Sequence, residues 1–154
     1  MQSEYAVILS EVFCDILMNY AFMFGDECTK DEFPVNGDSY VHATVSFSGD
    51  RSGSLGISTS SDLSVELAAN VLGLDPDDGD SIDDASDALE ELLNIVCGQF
   101  LTATFGDVPI FELSPPSVSE IDEAEWKSLI ENEETIGIMI DDVPAIVYAF
   151  FKSM

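Results

Sequence analysis

The chain is almost devoid of positive charge. Lys30, Arg51, Lys127 and Lys152 stand against 31 Asp and Glu in 154 residues, a formal net charge of −27. A surface of that sign repels phosphate backbones and anionic lipid, so neither nucleic acid nor a membrane surface is an expected partner. Cysteine is scarce as well. Cys14, Cys28 and Cys97 are odd in number and form no C-x-x-C pair, which argues against a disulfide framework and for reduced thiols in the cytoplasm. No apolar run reaches the roughly 18 to 20 residues of a membrane span. No basic stretch precedes an apolar one after Met1, so a signal peptide is not expected. His42, the single histidine, lacks a Cys or Asp partner at metal spacing and reads as an ordinary surface residue. A calcium loop around Asp75 to Asp84 fails, because with Gly79 in its sixth slot Leu74 and Pro76 would fall at ligand positions. Gly-rich phosphate loops and Ser/His/Asp arrangements are missing.

What the chain does have is apolar bulk, 46% of its residues, enough for a real core in a single domain over residues 1–154. Most of the acidity reads as solvated surface. It would also speed the encounter with a protein that carries a cationic patch.

Helical spacing of Tyr5, Leu9, Val12, Phe13, Ile16, Tyr20 and Met23 predicts a helix from Glu4 to Phe24, stopped by Gly25. Asp26 to Asp38, with Pro34 and Gly37, reads as a loop. Tyr40 to Phe47 alternates and, with Ser48 to Arg51 as turn, pairs with Gly53 to Thr59 in a hairpin. Ser61 or Asp62 can cap a helix to Leu72, ended by Gly73. After an acidic loop from Asp75 to Asp80, Ser81 and Asp84 make a capping-box-like start for a helix to about Thr104. Pro109 to Ile121 is extended, with Pro115-Pro116 marking an edge or bend. A short helix, Glu123 to Asn132, precedes the strands Thr135–Ile140 and Ala145–Phe151 around a turn at Asp141 to Pro144. The order predicts an α+β fold, with helices packed on a mostly antiparallel sheet.

The segment from Asp83 to Phe100 is the most telling. At about 100° per residue, Asp87, Glu91, Asn94 and Gly98 project within roughly 60° of one another, while Leu89, Leu92, Leu93, Val96 and Phe100 take the other side. Cys97 points away from the polar stripe and reads as a packing residue. Asn and Gly are poor helix-interior residues, yet both sit on the exposed stripe in register with the two acids.

This spacing, D-x-x-x-E-x-x-N-x-x-x-G, resembles the signature of the CheC/CheX/FliY family of chemotaxis phosphatases. The similarity extends to Phe47-Ser-Gly49-Asp-Arg-Ser-Gly53-Ser-Leu-Gly-Ile57, to Ala68-Ala-Asn-Val-Leu-Gly73 and to Leu113-Ser-Pro-Pro-Ser-Val118, about Tyr40 to Val118 in all. The resemblance implies a CheC/CheX-like domain that removes the phosphoryl group from a CheY-like response regulator. Such hydrolysis needs water positioned in line with the leaving carboxylate and little covalent help. A carboxamide, with donor and acceptor together, suits that task. Asn94 would orient the water, and Glu91 would bind a lysine beside the partner's phosphorylation site. Asp87 and Gly98 would support docking, Gly98 by leaving the helix face bare. No cofactor is expected in the chain itself; Mg²⁺ would come with the phosphorylated partner.

CheC-like members carry a second signature on the first helix. Here Glu11, Asp15 and Asn19 lie on that helix, but Cys14 follows Glu11 by three and Met18 stands where the carboxamide belongs. One site is the CheX-like pattern, a branch whose members are typically dimers joined through their sheets. A homodimer is therefore expected, with the apolar strand Ala145 to Phe151 as the pairing edge. The competing reading is a binding module that captures a response regulator without hydrolysing its phosphoryl group.

Overall fold

In a computed structural model the chain folds as α+β, with helices packed on an antiparallel sheet. The structure describes residues 4–31, 33–34, 39–72, 81–106 and 110–152, the side chains of 72 and 81–85 apart. The expected stop at Gly73, the acidic loop 75–80, the start of the extended segment at Pro109 and the capping side chains of Ser81 and Asp84 lie outside these described parts. The elements are α1 (Glu4–Ile16), β1 (Gly25–Cys28), β2 (Tyr40–Ser48), β3 (Gly53–Ser60), α2 (Ser61–Leu72), α3 (Ser81–Phe105), β4 (Glu112–Leu113), β5 (Ser117–Ile121), α4 (Glu123–Glu131), β6 (Ile136–Ile140) and β7 (Val143–Phe151).

The seven strands run in the order β1-β6-β7-β3-β2-β4, with β5 also paired to β2, and every pairing is antiparallel. Alternation explains the layering, since successive residues of a strand face opposite sides. Ala43, Val45 and Phe47 of β2, Leu55 and Ile57 of β3, the three isoleucines of β6 and Ala145 and Val147 of β7 join one buried cluster with α1, α2 and α3. The other face is closed at one end by α4. There the Trp126 ring stacks on Tyr40, 4.4 Å between centroids and 10° between planes, and lies parallel to Phe33 at 6.3 Å. Its indole Nε1 donates to the Pro34 carbonyl at 3.0 Å. Asp122 starts α4 by accepting the Glu125 N–H at 2.9 Å, a side-chain N-cap.

The first helix departs from expectation. It ends at Ile16 and continues as a π-helical turn, Leu17–Ala21. The wider turn shifts the phase of the apolar stripe, so Tyr20 is exposed and Ala21 takes the buried place. The stop is Phe22 in the left-handed region (φ 56°), not Gly25. Gly25 instead opens β1, a strand that the polar sequence Gly-Asp-Glu-Cys does not announce. A Cβ on Gly25 would lie 2.9 Å from Leu17 Cδ1 and 3.2 Å from Ile138 Cγ2, so close packing of helix against strand, not helix termination, explains this glycine.

Smaller differences follow the same logic. Ser60, not Ser61 or Asp62, caps α2, its hydroxyl accepting the Leu63 N–H at 3.2 Å. The extended stretch before α4 is two strands, because Pro115 and Pro116 interrupt it; Ser114 bridges the break by bonding Ser46 through both its N–H (2.8 Å) and its hydroxyl (3.0 Å). The β6–β7 turn is tighter than expected. Asp141 (φ 45°) and Asp142 (φ 71°) form a two-residue connection with both residues at positive φ, and Pro144 lies within β7. The expectation that Ala145 to Phe151 is a free edge is overturned for its first half: β7 lies between β6 and β3, but β6 covers it only as far as Val147, and among the described residues Tyr148 to Phe151 pair with β3 alone. His42 is not an ordinary surface residue either. It is half-buried, its Nε2 lies 2.7 Å from the Tyr148 hydroxyl, and burial lowers its pKa.

Candidate functional site

The 25-residue α3 holds the four candidate residues on a firmly packed support. Leu89, Leu92, Leu93, Val96 and Phe100 are all buried, so the face opposite the stripe is committed to the core. Cys97 is fully buried, and burial pushes its thiol from an ordinary 9.0 up to about 12, so it is a packing residue and not a nucleophile at neutral pH. The geometry brings the outward residues together as the helical spacing requires. Asp87, Glu91 and Asn94 are exposed and Gly98 is half-exposed on the same side. Among the described residues, none of the three side chains has a hydrogen-bond or ion-pair partner. Nothing among the described residues therefore occupies the two carboxylates or the carboxamide.

Gly98 has no internal reason to be glycine. A Cβ built on it meets nothing within 4 Å, although glycine costs a helix interior roughly 1 kcal/mol relative to alanine. Two hollows flank it. One, of about 570 Å³, lies between α1 and α3 and is lined by Asn94, Gly98, Gln99 and Thr102, with Val12 across the valley. The other, of about 190 Å³, is bordered by Gly98, Thr102, Gly106, Phe111 and Leu113. Thr102 belongs to both and was not singled out from the sequence, although it continues the polar stripe one turn beyond Gly98. Val12, Phe111 and Leu113 come from other elements, and no signal within α3 could have named them.

Among the described residues no three His, Cys, Asp or Glu side chains gather to hold a metal ion. Nor is any helix of the described residues long and apolar enough to cross a membrane.

Residues 41–140 match the family model of the chemotaxis phosphatase CheX. The chain belongs to the CheX family. The matched span contains the whole stripe from Asp87 to Gly98 and omits α1. Among solved structures, a CheX from Desulfovibrio desulfuricans has a TM-score of 0.72 at 20% identity, covering 97% of this chain and 100% of the other. A CheX from Vibrio vulnificus has a TM-score of 0.69 at 17% identity, covering 99% of each chain. A CheX–CheY–BeF3–Mg complex from Borrelia burgdorferi has a TM-score of 0.68 at 18% identity, covering 97% of this chain and 99% of that one. At such identities the structural likeness is one of CheX fold. Among curated proteins nothing matches.

Proposed function

We propose that the chain is a phosphatase of a phospho-aspartyl, CheY-like response regulator, with Asn94 and Glu91 as its working residues. One observation carries this reading: an exposed carboxamide and an exposed carboxylate, one helical turn apart and without partners among the described residues, stand on a helix whose other face is buried. Membership in the CheX family and a relative solved with CheY support the choice of partner.

The chemistry needs little from the protein beyond position. Water attacks phosphorus, the bond from phosphorus to the aspartyl oxygen breaks, and inorganic phosphate leaves a free carboxylate on the regulator. Asn94, accepting from and donating to one water, fixes its line of approach. Glu91 pairs with a cation beside the partner's phosphorylation site, and the acidic surface draws that cationic patch in. Asp87 and Gly98 belong to the docking face. The Mg²⁺ of phospho-aspartyl chemistry belongs, in this reading, to the regulator. The homodimer is part of the same proposal; among the described residues the edges open to a second copy are β1, beside the exposed Phe22 and Phe24, the outer side of β4 and β5, and the end of β7 from Tyr148 to Phe151.

The test is a dephosphorylation time course with a panel of response regulators from the same organism. Wild type should accelerate hydrolysis of one of them, and Asn94→Ala should slow that rate roughly 10²-fold, the usual cost of one preorganised polar group, while affinity persists. Unchanged turnover in Asn94→Ala would refute the mechanism. Tight binding by wild type without added hydrolysis would make the chain a capture module instead.

A further inference from the structure

Of the four cationic side chains, Arg51 is placed most oddly. Lys127 and Lys152 are exposed, and Lys30 Nζ is used internally, donating to the Asn132 carbonyl and to Thr135 Oγ1 at 2.6 Å each. Arg51, in the β2–β3 turn, is half-buried with its guanidinium carbon 4.8 Å from the centre of the Phe151 ring. Its Nε is buried and has no hydrogen-bond partner, and among the described residues the guanidinium forms no ion pair. In a chain with 31 acidic residues an arginine unpaired among the described residues is conspicuous. The buried Nε is out of a ligand's reach, so an external partner must meet the terminal amino groups of the guanidinium.

That guanidinium borders a cavity of about 540 Å³, distant in sequence from the α3 stripe and none of its lining residues shared with it. The volume is that of a small-molecule site. Tyr5 and Phe151, whose ring centroids are 4.6 Å apart, and Ile136 supply apolar wall. Glu133 and Glu134 line the same space without pairing with Arg51. Arg51 thus lines the cavity together with two exposed glutamates, and among the described residues no ion pair joins them. Arginine stacked on an aromatic ring presents its N–H edge, the geometry that grips a carboxylate through two parallel bonds. The field of a −27 chain opposes a ligand of net negative charge but is indifferent to one of zero net charge.

We propose that this cavity binds a small zwitterion bearing a carboxylate and an ammonium, of which an α-amino acid with an apolar side chain is the simplest example. The carboxylate sits on Arg51, the ammonium faces Glu133 and Glu134, and the side chain packs on Tyr5 and Phe151.

Titration calorimetry of the full chain against each standard L-amino acid, up to about 10 mM, tests this. At least one should bind saturably. The matching amine without its carboxylate, and the matching acid without its ammonium, should each bind wild type roughly tenfold more weakly or worse. Arg51→Met should weaken the amino acid to the level of the bare amine, and Glu133→Gln with Glu134→Gln to that of the bare acid. No saturable binding by any amino acid overturns the proposal, as does equal binding of amino acid, amine and acid to wild type. The wild-type comparison stands even if Arg51→Met fails to fold, and circular dichroism reports whether it does.

Discussion

Helices α1, with the π-helical turn that continues it, and α3 lie side by side on the same face of the sheet, and each carries acids and an asparagine outward. Only α3 leaves its asparagine unbonded. In α3 the side chains of Glu91 and Asn94 stand one α-helical turn apart with no partner among the described residues. In α1 the corresponding stretch passes into the π-helical turn Leu17–Ala21, and Asn19 Nδ2 donates to the Asp15 carbonyl at 2.9 Å. A carboxamide bonded to its own backbone is not free to hold water. Composition of a helix face is thus a weak guide to a site; register and an unspent side chain distinguish the two helices.

The comparison can be broken from its strongest point downward. Glu91→Lys should abolish binding of the phosphorylated regulator at a stability change under ~1 kcal/mol, whereas Asp15→Lys should leave binding intact; pull-down of the regulator with each variant decides. Leu93→Ala, on the buried side of α3, should cost about 2–5 kcal/mol in urea unfolding, while Met18→Ala on the exposed side of the π turn stays within about 0.5 kcal/mol. Asn94→Gln keeps the amide but lengthens its reach, and a displacement on the order of 1 Å can cost up to ~10²-fold; its measured turnover should lie between wild type and Asn94→Ala, and Asn19→Ala should match wild type. Gly98→Ala has room and should raise stability by roughly 1 kcal/mol, yet weaken the regulator's docking if a backbone approaches there. Equal affinity in that variant would remove Gly98 from the docking face.

The smallest effect is a matter of pH. Burial pushes the Cys97 thiol up to about 12, while burial and then Asp26, Asp15 and Glu27 push Cys14 to about 11, both from an ordinary 9.0. The unfolded chain releases these protons first, so stability is intact below pH 9.0 and falls as pH rises toward the folded values. The urea midpoint should drop between pH 9 and about pH 10.5, and Cys97→Ala and Cys14→Ala should each flatten the decline.

Much of this architecture was legible before the structure. The helical period of residues 83–100 correctly separated the buried Leu89, Leu92, Leu93, Val96, Cys97 and Phe100 from the outward stripe, because one side of that helix is solvent and the other is core. Alternation likewise located β2, β3 and β6 to within a residue or two. What escaped was β1, whose sequence has no apolar alternation since Asp26 and Glu27 are exposed on an edge strand. The π turn escaped as well, because one extra residue per turn leaves no mark in an otherwise helical spacing. The interior place of the first half of β7 depends on pairing with β3 across more than eighty residues of chain, which no local pattern encodes. In the site, α3 spoke for itself, while Val12, Phe111 and Leu113 arrive from elsewhere in the fold.

The sandwich of Phe33, Trp126 and Tyr40 has a spectroscopic consequence. Trp126 is the only tryptophan, fully buried and on the side of the sheet opposite α3. Its emission is therefore that of an indole in an apolar setting, and a regulator seated on α3 does not touch it. Any change in wavelength or intensity on mixing would register motion carried through the strands themselves, and a flat signal would mean that α3 receives its partner as a rigid shelf.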